Sequence, residues 1–286
     1  MKFIGKTLLC AVAFIVATIV SGAILTALRL KPPVMPAGAT TAGELAWMPV
    51  GCVVLAIGMA PLAAGLGGRF PIRYAALAVL LFVANGVNQT IELTIFSTMG
   101  GQAFLIVYSL IVVAVGAAAL AWLFASPEPI PSLPRMAASS WAWRVLVAWL
   151  AFPVIYLAFG MCVGPFVIGY YKSGAMGLQL PSMDVILRTQ LLRSLLFLAC
   201  SLPVIRLWTG SRRRLIFALG LAHAALVGLY GLSTAYFLPA VMRTLHSVEI
   251  TADSFVYVLV LGLLFFPRTR TAVASTVTSA PITTAA

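Results

Sequence analysis

The stretch NGVNQTIEL at positions 85–93 gathers four polar side chains into two turns of an otherwise apolar segment. At about 100° of rotation per residue, Asn85, Asn88, Gln89 and Glu92 fall within about 100° of helical arc. Amides offer paired donors and acceptors, and a carboxylate offers a charge, so this face is equipped to hold a substrate or a proton. Counted from Tyr74 at 1.5 Å per residue, Glu92 lies ~27 Å along its helix, in the outer third of a bilayer. The plain alternative is that the same groups hydrogen-bond between helices and hold a bundle together. The NQT triplet matches a glycosylation sequon but lies inside an apolar span, so it is read as coincidence.

A second constellation lies in RTLHSVEITADS at positions 243–254. Arg243, His246, Glu249 and Asp253 fall within about 120° of arc by the same geometry. Asp253 is ~20 Å from the inner end of its helix and Arg193 is ~22 Å from the inner end of its own, so the two are expected to pair. Pairing lowers the cost that either charge meets alone in lipid. A third face, about 40° wide, carries His223, Tyr230 and Thr234. His223 is read as a hydrogen-bonded bundle residue, and Tyr230 as interhelical glue or part of a cavity wall. Gln89, Glu92, Arg193, Tyr230, His246, Glu249 and Asp253 project to similar outer depths. The sequence therefore predicts a polar pocket opening away from the cytoplasm; the competing picture is a fully satisfied ion-pair network without a cavity.

Other chemistries find no support. His246, Glu249 and Asp253 are metal-ligand types, but Arg193 and Arg243 add positive charge beside them, so no metal and no cofactor is assigned. The chain has no GxxxxGK[ST] loop, no HExxH and no GxSxG. AGLGGRF at 64–70 follows no strand and is read as a turn rather than a dinucleotide loop. No nucleophile is recognisably placed, and no catalytic residue is assigned. Cys10, Cys52, Cys162 and Cys200 lie in apolar segments without CxxC spacing and read as small core residues.

The elements that carry these residues follow from composition. The 286-residue chain is 62% hydrophobic and only 8% charged, with mean hydropathy +1.09. A water-facing surface needs about a quarter charged residues, so the outside of this molecule faces lipid. Eight spans are predicted, at 8–28, 48–66, 74–96, 104–124, 143–166, 191–208, 215–237 and 244–266, the sixth and eighth carrying the weakest apolar signal. The first is too long for the ~7–15-residue core of a signal peptide and reads as an uncleaved anchor. Counted by alternate loops, Lys and Arg number twelve on one side and six on the other. Both termini are therefore expected in the cytoplasm, which an even span count requires. The formal net charge of +12 is topological and implies no nucleic acid, since no basic stripe or aromatic platform accompanies it.

The predicted fold class is all-α: a polytopic transmembrane bundle of about eight helices with a parallel 4+4 internal repeat. Residues 1–125 and 141–270 form two four-helix halves, joined by a Pro- and Ser-rich solvated linker at 126–140 and followed by a low-complexity, disordered tail at 271–286. Aligning Lys6 with Arg144 also aligns Phe14 with Phe152 and Gly22 with Gly160, and aligning Pro61 with Pro203 brings the basic turns together. Halves with an even number of spans insert with the same polarity. Gly160 with Gly164, and Gly220 with Ala224 and Gly228, have the small-residue spacing of close helix contacts. Pro61 and Pro203 each remove a backbone hydrogen bond and are expected to kink their helices.

Three function classes follow: a permease for a small solute or ion, an accessory protein partnered with another membrane protein, and a membrane-embedded enzyme using an acid and a histidine. The lipid bilayer is the certain partner, and a bacterial-type cytoplasmic membrane is the expected location.

Overall fold

Apolar chain in lipid must satisfy its backbone internally, and helices do so within each segment. A computed structural model describes residues 2–125, 129–130 and 136–266. It contains eight helices long and apolar enough to cross a bilayer: α1 Phe3–Ala27, α2 Thr41–Ala64, α3 Phe70–Phe96, α4 Gln102–Leu123, α5 Ala138–Lys172, α6 Met183–Leu207, α7 Arg212–Thr234 and α8 Ala240–Phe265. The protein is a multi-pass integral membrane protein, and its outer surface contacts lipid. Among the described residues there is no strand, only isolated antiparallel bridges. The tail, with Arg268 and Arg270, lies outside the described residues.

Local signals place the helix starts. The Thr40 hydroxyl accepts from the Gly43 N–H at 3.1 Å at the head of α2, and the Ser211 hydroxyl accepts from the Arg214 N–H at 3.4 Å at the head of α7. Each supplies one of the N–H groups that an open helix end leaves without an intrahelical partner. Gly101 precedes α4 at φ +80°, where a side chain would be strained and would strike Pro33. Pro61 and Pro203 are both accommodated inside helices.

Within the first half α1 packs on α2 and α4, and α3 packs on α4; within the second, α5 packs on α6 and α8, and α7 packs on α8. Between the halves α2 meets α7 and α3 meets α6, while α3 and α7 touch through short π-helical turns at Phe82–Val87 and Ala225–Leu229. The α2–α3 and α6–α7 turns join in an antiparallel bridge, Leu66 with Trp208. Gly67 N–H donates to the Leu207 carbonyl and Thr209 N–H to the Gly65 carbonyl, each at 2.9 Å. Partners at the bridge stand 142 positions apart (66 and 208), and its two hydrogen bonds exchange under the same offset (65 and 207, 67 and 209).

Apolar side chains gain little by leaving lipid for another apolar surface, so close packing must supply the stability of the interior. Phe14 presses on Gly116, Phe255 on Gly220 and Ile250 on Gly228, sites where an added Cβ would collide. Gly160 and Gly164 behave differently from expectation. Only Glu249 Oε1, at 3.7 Å, comes near the Cβ position of Gly160, and nothing lies within 4 Å of that of Gly164. Their helix is the outermost: 17% of the α5 span is buried, against 33–56% for the others. Two boundaries also shift. Residues Ala138–Ser140, assigned to the linker, form the first turn of α5, since no proline stands between Pro134 and that turn. Ile130, from the same segment, packs against the core beside Gly68.

Candidate functional site

Arg193 is the hub. It sits ten residues into α6, a distance of about 15 Å, and is 4% exposed. One terminal nitrogen of its guanidinium is 2.6 Å from Glu92 Oε1 on α3, and the same nitrogen donates to Gln190 Oε1 at 3.0 Å. Its Nε donates to Asn88 Oδ1 at 2.8 Å. The rings of Phe152, Tyr156 and Phe197 surround the cation at 5.6–5.9 Å to their centroids. A buried guanidinium needs such partners, because desolvation outweighs any single contact, and aromatic faces add an attraction of about 1 kcal/mol each.

The expected Arg193–Asp253 pair is not formed: Glu92 holds the guanidinium instead. A π-helical turn adds an extra residue per turn and rotates everything beyond it, so the faces of α3 depart from ideal helical projection. Asn85, within that turn, donates from Nδ2 to the Leu226 carbonyl at 2.9 Å, and Asn88 donates to the Val227 carbonyl at 3.4 Å. Both acceptors lie in the π turn of α7, where the i→i−4 ladder is broken. Asn88 thus connects α7 to Arg193, and Glu92 points to α6. The Gln89 amide nitrogen lies beside Gly231 of α7.

A second group adjoins the first. Glu249, buried on α8, accepts from His246 Nδ1 at 2.7 Å, and the other ring nitrogen of His246 is 3.4 Å from the Tyr171 hydroxyl of α5. A carboxylate only accepts, so Nδ1 carries the proton of this bond. Tyr156 lies within electrostatic reach of Glu92, Arg193, Glu249 and Asp253, members of both groups.

Asp253 is 6% exposed and Gln190 fully buried. Neither Asp253 Oδ1 nor Gln190 Nε2 has a hydrogen-bond partner among the described residues. One turn deeper, the Tyr257 hydroxyl donates to the Ser194 carbonyl at 3.3 Å. Helices α6 and α8 run in the same direction, so Gln190 and Asp253, each four residues earlier, share one depth. Among the described residues this leaves a free donor on Gln190, whose Oε1 accepts from the guanidinium, and a free acceptor on Asp253.

No family model, curated protein or solved structure matches the chain.

Tyr230, expected in the pocket, and Arg243, on the predicted polar face of α8, lie elsewhere. The Tyr230 hydroxyl is 3.2 Å from that of Tyr108, which is in turn 3.1 Å from Thr18 Oγ1, a string on the opposite side of α7. Arg243 stands at the rim, donating from Nε to the Leu232 carbonyl at 3.2 Å with its cation 5.0 Å from the Trp47 ring centroid. His223 is 2.8 Å from Ser201 through its Nε2, a buried pair within the bundle. Among the described residues, no group of three His, Cys, Asp or Glu is placed to hold a metal ion. A crevice of about 670 Å³ opens beside the α2–α3 and α6–α7 turns, lined by Pro61, Trp208, Arg213, Arg214 and Phe217 among others, and none of the candidate residues borders it.

Sequence reasoning missed Gln190, Tyr156 and Tyr171. Gln190 was within reach of it, since a glutamine three residues before a membrane arginine lies on the same face. The tyrosines carried no signal, because aromatic residues on a lipid-rich helix are commonplace.

Proposed function

We propose that this membrane protein is a permease for a small polar solute or ion, which binds among Asn88, Gln89, Glu92, Arg193, His246, Glu249 and Asp253 in the outer half of the bilayer. The observation that carries the proposal is the pair of buried polar atoms, Gln190 Nε2 and Asp253 Oδ1, left without partners among the described residues in the charged cluster. An unsatisfied buried group costs about 1–3 kcal/mol, and a bound solute that supplies the missing bonds recovers it. In this proposal Asn85 is a positioning residue that holds the α7 turn, and Tyr230 belongs to the wall on the far side of α7.

The architecture supports the same proposal. Residues 1–125 and 141–270 are read as two copies of one four-helix unit, related by an axis along the membrane normal through the Leu66–Trp208 bridge and the facing π turns. Parallel repeats of this kind put substrate sites between the copies and let one rock against the other. By the excess of Lys and Arg, both termini lie in the cytoplasm of a bacterial-type cell.

The test is a ligand-stabilisation screen on the purified chain beside Glu92→Gln and Asp253→Asn. A permease gives a compound that raises the thermal midpoint of the wild type and raises it less in either variant. A flat response to every compound overturns the proposal. A second reading, an accessory protein, draws on the outward α5 face with Gly164 and Gly169 open. It expects a defined membrane partner to co-purify in mild detergent and both acid variants to be harmless.

A further inference from the structure

We propose that Asp253 carries a proton that exchanges for a small cation at Glu92, with the Arg193 guanidinium passing between the two carboxyls. This rests on the permease reading and names its substrate class and coupling ion. The cluster holds three carboxyls, and two are satisfied: Glu92 by Arg193 at 2.6 Å and Glu249 by His246 at 2.7 Å. Asp253 is the third, buried, with Oδ1 unpartnered among the described residues. A lone carboxylate in such a place is costly, and a proton removes the charge.

The groups that face Asp253 leave a single strong partner. Glu249 and His246 stand on its own helix, engaged with each other. Tyr156 approaches from α5 and is neutral. From α7, His223 is held by Ser201 and lies against Tyr257 a turn deeper. Among the described residues, Arg193 of α6 is the cation whose field reaches Asp253. When the O–H bond of Asp253 breaks, both electrons stay on the carboxylate and the proton leaves for water. Attraction at low dielectric then draws the guanidinium toward Asp253. Glu92 gives up its partner. It is the most exposed of the three carboxyls, its side chain 37% exposed against 8% for Glu249, and it lies four residues from the outer end of α3. A cation entering there replaces the positive charge that left as a proton, so the exchange is electroneutral. Tyr156 and Tyr171 both lie within electrostatic reach of Glu92.

The experiment is infrared spectroscopy of the full chain in lipid at neutral pH, reading the carbonyl stretch of protonated carboxyl groups. The wild type shows such a band, and Asp253→Asn removes it. Glu92→Gln, which leaves Asp253 intact, also removes it, because Arg193 is then free to pair with Asp253. Arg193→Met combined with Glu92→Gln restores it. The last two variants keep the test valid if Asp253→Asn fails to fold. A wild type without the band, a band that survives Asp253→Asn or Glu92→Gln, or a wild-type band that neither sodium chloride nor choline chloride weakens overturns the inference; the salt that weakens it shows whether the exchanging cation is a metal ion or an organic ammonium. If the band behaves as described while the ligand screen is flat, the permease reading fails alone. If the screen is positive and the band does not respond, only the proton exchange fails.

Discussion

Between α3 and α6, Arg193 reaches Asn88 and Glu92; between α2 and α7, Gly51 lies against Tyr230 and Thr234. The two sets occupy the same register. Gly51 stands 142 positions before Arg193, and Tyr230 and Thr234 stand 142 positions after Asn88 and Glu92, the offset that also relates Leu66 to Trp208. In one interface a long cation fills the gap and demands hydrogen bonds. In the other the absence of a side chain lets α7 close on α2, and the polar atoms of Tyr230 are spent on Tyr108. The α3–α6 contact thus holds a charged, partly unsatisfied filling and the α2–α7 contact a packed, neutral one. Under the proposed function, the charged filling is the one that offers groups to a solute.

That contrast can be broken from either side. Arg193→Met should have the largest effect, about 3 kcal/mol of lost stability, near the low end for breaking a buried pair because Glu92 is partly exposed. It is measured by unfolding in mixed micelles, and Arg193→Met with Glu92→Gln should recover most of the loss. An unchanged single variant would mean that the pair contributes nothing to the fold. Gly51→Ala should cost about 2 kcal/mol by overpacking, since its Cβ would come within 2.6 Å of Thr234 and 2.9 Å of Tyr230. Free tolerance of alanine there would show that the neutral interface is not tightly closed.

Asn85→Ala should cost about 1 kcal/mol and speed amide exchange around Leu226–Tyr230, because the freed carbonyl loses its donor. Exchange confined to α3 would contradict the bracing of α7 by this asparagine. The smallest effect belongs to Tyr108→Phe, about 0.6 kcal/mol, the average for a hydrogen bond between membrane helices. It should leave ligand stabilisation intact; a variant that abolished ligand binding would place the solute on the Tyr230 side of α7.

Much of the bundle was legible in the chain. Eight apolar runs correspond to eight helices, because in lipid length and hydropathy decide what crosses. Helix α8 gave the faintest signal and is nonetheless 26 residues long, its polar first turns sheltered by α5 and α6. Gly220 and Gly228 pack as their spacing implied, while Gly160 and Gly164, spaced the same way, do not. Spacing reports what a face permits, and the neighbour decides whether it is used.

The candidate site divides along the same line. Residue type and depth determined that Glu92, Arg193, Glu249 and Asp253 belong inside the protein, since hydrocarbon tolerates none of them unpaired. That Glu92 takes the guanidinium was decided by packing: a π-helical turn, which no local pattern announces, precedes Glu92 in α3 and shifts its face from ideal projection. That choice is made by the packing of α3 against α6 and α7, where a side chain of one helix meets backbone freed in another.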